Sequence, residues 1–248
     1  DVGLYHPATR TAGIIRMIFL SFMGIYGPII AGMYAKKQII EMDHVFKLVT
    51  RWVATFSIPF LILILIFPKK IMLVFGVDFI DGHNILIILA LAAFIQAIFG
   101  IGGTTLNMTG FPKINLFNTL IGFSLNIILN IILIPRMGGF GAAIATLCTL
   151  VLIAIMRIFQ NWRLLNLTPW SKNLFKPISS GLLTIFIGYF LKPYFMSFHT
   201  ILTIICAGLS IFTIYFFILW LLGIDDDDEA LKNGLYMKLN NVILLFKK

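Results

Sequence analysis

The sequence predicts an all-α fold, a polytopic membrane helix bundle of about seven transmembrane helices. Three observations predict it. The residues AVILMFWYC make up 60% of the 248-residue chain and charged residues only 12%. The mean hydropathy is +1.00. A water-soluble domain carries charge on about a quarter of its residues, and a fold of this size has too little interior to hide so much apolar surface, so lipid is the solvent. Finally, the apolar residues fall in runs of about 20, the length that crosses about 30 Å of hydrocarbon as a helix. Membrane β-strands are about ten residues long and alternate in polarity, which these runs do not.

In chain order the expected spans cover residues 11–35, 46–67, 84–108, 114–134, 141–163, 174–191 and 200–222. Pro28 and Pro59 fall inside the first and second, where each removes a backbone hydrogen bond and predicts a kink or hinge. Pro68-Lys69-Lys70 closes the second span, and the segment Val74 to His83 has room for a short interfacial helix. Gly110-Phe111-Pro112 separates the third span from the fourth, and Pro135-Arg136-Met137-Gly138-Gly139 the fourth from the fifth. Both links are so short that the helices they join must be antiparallel neighbours. Gly139 with Ala143, and Gly141 with Ala145, put small residues four apart, which lets helices approach closely in lipid.

Orientation follows from the Lys and Arg residues on each side. Lys36, Lys37, Lys47, Arg51, Lys113, Arg157, Arg163, Lys172, Lys176, Lys232, Lys238, Lys247 and Lys248 share one side. Arg10, Arg16, Lys69, Lys70, Arg136 and Lys192 are on the other. The excess places the C-terminus in the cytoplasm and Asp1 outside. A chain that opens on Asp1 outside is read as part of a longer one, with at least one further span upstream. Residues 1–223 form the transmembrane bundle. Residues 224–248 form a cytoplasmic tail in which the acidic run Asp225–Glu229 precedes an amphipathic stretch suited to the inner membrane surface.

Several functions are excluded. The net charge of +9 sits in short links between spans and not on a soluble basic domain, so no nucleic-acid partner is expected. Cys148 and Cys206 lie in apolar runs, and His6, His44, His83 and His199 are scattered, so neither a disulfide framework nor a metal site is expected. The acidic run lacks the spacing of a calcium loop. Gly139-Phe140-Gly141 does not follow a strand and is no dinucleotide loop. Asn107-Met108-Thr109 and Asn166-Leu167-Thr168 match a glycosylation sequon but fall at cytoplasmic ends. No nucleophile–base pair or paired carboxylates occur in a span, so no enzyme is expected, and no cofactor beyond a coupling cation of unknown identity.

The informative residues are polar ones in or beside spans, because lipid cannot satisfy them and they must face protein or a wet cavity. Arg10 and Arg16 lie at the outer end of the first helix, as snorkelling anchors or as ligands for phosphate. Gln96 is mid-way along the third, and Asn107 near its end. Asn115, Asn118, Asn126 and Asn130 run along the fourth, with the last three on one face. Each asparagine could bind a neighbouring helix or a substrate.

Taken in order, several stretches resemble the C-terminal half of bacterial polysaccharide exporters, the lipid-linked oligosaccharide flippases of the multidrug/oligosaccharidyl-lipid/polysaccharide superfamily. They are Val2-Gly3-Leu4-Tyr5-His6-Pro7-Ala8-Thr9-Arg10; Pro28 with Tyr34; Leu73-Val74-Phe75-Gly76 with Phe79; and Asn107-Met108-Thr109-Gly110 with Lys113. They continue with Asn126, Asn130 and Leu133-Ile134-Pro135; Gly138 with Gly141-Ala142-Ala143-Ile144-Ala145-Thr146; and Leu222-Gly223-Ile224 with the acids after it. The chain departs from the pattern at His6-Pro7, where a small polar pair is usual. The resemblance implies one lobe of a fourteen-helix, two-lobed transporter in a bacterial inner membrane. It implies flipping of a lipid-diphosphate-linked oligosaccharide from inner to outer leaflet by alternating access. The missing N-terminal lobe and membrane lipids are the implied partners. On that reading Arg10, Arg16, Gln96, Asn107, Asn118, Asn126 and Asn130 are the candidate substrate-binding residues, the two arginines for the diphosphate. A cation-coupled drug antiporter of the same superfamily would usually carry a mid-span acid, which is absent. A membrane-embedded glycosyltransferase or polymerase would need loop acids such as Asp78 and Asp81.

Overall fold

The computed structural model describes residues 2–223; the acidic run and the amphipathic stretch expected after it lie outside the described residues. Among these the ordered elements are all helical. Helix α1 is Val2–Ala35, α2 Ile39–Ile66, α3 Pro68–Leu73, α4 His83–Met108, α5 Pro112–Leu165, α6 Phe175–Met196 and α7 Thr200–Leu221. Short 3-10 turns occupy Val77–Gly82 and Lys172–Leu174.

The third and seventh expected spans match α4 and α7 closely. At the N-terminus, α1 runs through His6-Pro7: Pro7 and Ala8 are buried, and the Thr11 hydroxyl donates to the Pro7 carbonyl at 2.9 Å, so packing outweighs the missing proline N–H. The extra first turns of α2 are amphipathic, with Met42 and Phe46 buried and Ile40, Glu41 and His44 exposed. Pro68 both follows α2 and opens α3, where the first helical position needs no N–H donor. The interfacial helix expected between 74 and 83 is the 3-10 turn at Val77–Gly82.

The fourth and fifth expected spans are one 54-residue helical segment, α5, interrupted only at Gly138 (φ 57°, ψ −136°). A straight helix of that length would be about 80 Å long, far beyond a bilayer. Instead the chain reverses at Gly138. Asn118 meets Gln160, Gly122 meets Ile153 and Asn126 meets Thr149, pairs centred near residue 138. The two arms, 112–137 and 139–165, are therefore an antiparallel hairpin, and the single residue that reverses it lies in a backbone region few residues but glycine adopt. Gly141 sits so close to Leu133 that a Cβ on it would lie 2.5 Å from the Leu133 carbonyl oxygen. Counting this hairpin twice, seven helices among the described residues are long and apolar enough to span.

Helix α4 is central: α1, α2 and α5 all pack on it, while α6 and α7 pack on α2. One apolar cluster joins α1, α2 and α4, and a second joins α2, α6 and α7. The two ends of the bundle are tied separately. At one end the Asp43 carboxylate accepts from the Thr168 amide at 3.0 Å and pairs with Lys47, and the Lys176 ammonium donates to the Gly223 carbonyl at 3.1 Å. At the other, Lys70 donates to the Phe198 carbonyl at 3.2 Å.

Candidate functional site

Helix α1 leaves one broad side uncovered. Its buried stripe carries Ala8, Ala12, Ile15, Tyr26 and Ile30, held to α4 by a Tyr26–Thr105 hydroxyl pair at 2.6 Å. Gly27 packs against Met108, and Phe19 lies over Gly100. On the uncovered side stand Arg10 and Arg16, six residues and so about 9 Å apart along the axis. Gly13 and Gly24 share this side with nothing near them, and Met17 and Ile25 are 67% and 71% exposed. The result is a largely apolar uncovered side with two guanidinium groups in its N-terminal half. Arginine's planar fork binds carboxylate or phosphate through paired N–H groups.

The asparagines do something different. Asn118 is fully buried and exchanges two hydrogen bonds with Gln160 across the α5 hairpin, at 2.6 and 2.8 Å. Asn126 donates to the Thr149 hydroxyl at 3.3 Å and accepts from Asn130 at 2.9 Å. The Asn130 Oδ1, also buried, finds no donor among the described residues. Asn115 donates to Asn107 at 3.0 Å and accepts from the Arg157 Nε at 3.1 Å. Asn161 reaches the Gly102 carbonyl of α4 at 3.1 Å. The structure thus brings Asn118, Asn126 and Asn130 together along the seam between the two arms. It puts Asn107 at the foot of that seam and Arg10 and Arg16 apart on α1. Gln96 is half-buried on the α4 stripe that continues to Gly100 and Gly103.

Arg157, Gln160, Asn161 and Thr149 were not singled out from sequence. The Arg157 guanidinium lies on Gly103, where a Cβ would come within 2.6 Å of its Cζ, so the glycine makes room for a cation between α4 and α5. A signal was available: folding the segment about its Gly138 turn sets Asn115, Asn118 and Asn126 opposite Arg157, Gln160 and Thr149. Among the described residues, no three His, Cys, Asp or Glu side chains converge as metal ligands. The described acids lie at helix ends and turns, Glu41 and Asp43 in the first turns of α2 and Asp78 and Asp81 in the 3-10 turn.

The family model described as MatE matches residues 1–132. The probable low-salt glycan biosynthesis flippase Agl15 of Haloferax volcanii is 32% identical over 146 residues, 58% of this chain and 31% of that protein. The uncharacterized membrane protein MJ1068 of Methanocaldococcus jannaschii is 28% identical over 212 residues, 84% of this chain and 41% of that protein. Among solved structures, the lipid II flippase MurJ in an inward closed conformation superposes with a TM-score of 0.59 at 16% identity, covering 84% of this chain and 47% of that one. The matched segments cover less than half of each of these proteins, and the chain spans about half their length.

Proposed function

The chain belongs to the MatE family, and we propose that it supplies one lobe of a membrane flippase that moves a lipid-diphosphate-linked oligosaccharide from the inner to the outer leaflet by alternating access. The observation that carries the reading is the uncovered side of α1 that bears Arg10 and Arg16, in a chain about half as long as its relatives. A second lobe against that side would enclose a cavity with Arg10 and Arg16 on its wall. A diphosphate is a dense anion that must shed water to enter a cavity between lobes, and guanidinium groups there replace the lost hydration with paired N–H donors. Gly13 and Gly24, with open space beside them, leave room for the sugar chain.

Of the candidate residues, Arg10 and Arg16 contact the diphosphate on this reading. Gln96, Asn107, Asn118, Asn126 and Asn130 act at one remove, keeping α4 and both arms of α5 in register while the lobes rock. The reaction is transport, not bond-making, and a coupling cation is the one accessory species it calls for. Membrane lipids surround the bundle, and nucleic acid has no part. The excess of cations on the side of the α1–α2 link supports a cytoplasmic position for that side and for the C-terminus. The membrane is the cytoplasmic one, the inner membrane if the host is a bacterium.

Arg16→Ala in the full-length protein tests the assignment. Export of the glycan is expected to fall at least about tenfold, the loss of one charged hydrogen-bonded contact, with membrane levels unchanged. Full export with Arg16→Ala and Arg10→Ala combined would sink the role given to α1.

A further inference from the structure

Three of the six cations on the outer side converge on one cavity, lined by residues of α2, α3, α4 and α6 and by none of α1. Lys69 and Lys70 open α3, and Lys192 stands near the end of α6. Together with His83, Asn84 and Tyr189 they surround a space of about 290 Å³. Its walls between these groups are apolar, from Leu65, Ile66, Ile87 and Met196. No carboxylate lines the cavity, and among the described residues none of the three lysines forms an ion pair; Asp81 lines the neighbouring cleft instead. Lys70 is held by carbonyls of the α6–α7 link. The Lys192 ammonium lies 5.4 Å above the Tyr189 ring, and the His83 Nδ1 bonds the Ile80 carbonyl at 2.9 Å, so each is oriented by the fold.

Cations are normally scarce on the outer side, and three unpaired ammonium groups drawn together repel one another. An anion between them removes that cost. The position selects which anion. The cavity lies at the end of α2, where a span meets the headgroup layer, and it opens beside the α6 surface where Phe186, Tyr189, Phe190 and Tyr194 are more than half exposed, the aromatic belt of a membrane interface. Polar groups above and apolar walls below match a phosphate joined to acyl chains. Basic pockets between spans hold anionic lipid headgroups in this way.

We propose that Lys69, Lys70 and Lys192, with Asn84 and His83, form a binding site for the phosphate of an anionic phospholipid in the outer leaflet. Lysines suit the task because each is a flexible point charge that accommodates a phosphate in more than one orientation. The site is separate from the diphosphate-binding role given to α1, and it stands whether or not that role does.

The test is native mass spectrometry of the delipidated full-length protein titrated with phosphatidylglycerol or phosphatidylcholine. Selective retention of phosphatidylglycerol is expected. Lys69→Ala with Lys192→Ala spares the Lys70 bonds to the α6–α7 link. It should weaken retention about thirtyfold, each lysine near a lipid surface being worth about fivefold. Lys69→Arg with Lys192→Arg should keep most of it, which separates lost charge from a damaged fold. Lys113→Ala with Lys172→Ala, at the opposite end, should leave it unchanged. Undiminished retention in the first variant, or an equal loss in the opposite-end variant, overturns the site. If excess inorganic phosphate binds there while phosphatidylglycerol is not retained, the lipid assignment is overturned.

Discussion

Two glycines show how a single atom matters in this bundle. At Gly141 an added Cβ would lie 2.5 Å from the Leu133 carbonyl oxygen, a backbone atom that cannot move without bending the first arm of α5. At Gly103 the Cβ would meet the far end of the Arg157 side chain at 2.6 Å, which can swing away at the cost of its bond to Asn115. Gly141→Ala is therefore expected to cost about 1–3 kcal/mol, as overpacking does. Gly103→Ala should cost about 1 kcal/mol, one interhelical hydrogen bond in lipid. Thermal unfolding of the two variants in detergent checks the order; equal midpoints would contradict the close contact at Gly141.

The α5 hairpin is the element on which the polar seam depends. Its reversal rests on Gly138 at φ 57° and ψ −136°, and a side chain there strains the backbone by about 1–3 kcal/mol. Gly138→Ala should lower the melting temperature, whereas Ala at exposed Met137, one residue earlier in the first arm, should leave it nearly unchanged. Across the seam, Asn118 and Gln160 satisfy each other twice. Removing either amide strands its partner in an apolar surrounding, so each single alanine variant should cost about 1 kcal/mol. The double variant should cost little more than one of them. A double-mutant cycle with no coupling would show that the pair does not bind in the membrane.

For the whole molecule, the two tied ends define a topology that can be read chemically. Lys37 lies in the α1–α2 link, and Ser197 in the α6–α7 link at the opposite end. In a variant with Cys148 and Cys206 replaced by serine, Ser197→Cys should react with a membrane-impermeant maleimide added to intact cells. Lys37→Cys should react only after the membrane is opened. The reverse pattern would overturn the orientation drawn from the charge count. The same arrangement keeps the two proposed sites on different elements: the diphosphate site on α1, and the lipid site on α3, α4 and α6.

Much of this bundle was legible before any coordinates. Uniform apolar runs about 20 residues long leave the backbone no partners but its own, so helices follow from composition and length alone, and Gly and Pro mark where they stop. That is why α4 and α7 agree with expectation almost residue for residue. The helix starts were less legible. Pro7 and the mixed turns of 39–45 precede the apolar runs yet belong to the helices, because neighbouring elements bury Ala8, Met42 and Phe46. The polar residues were least legible. Sequence identifies an asparagine in a span as needing a partner, but the partner is chosen by which helix folds against it. Only the assembled hairpin shows that Asn118 is spent on Gln160 and Asn115 on Arg157, while Arg10 and Arg16 keep an open side. Local chemistry makes the helices, and the long-range contacts among them determine which of their polar groups remain free to bind.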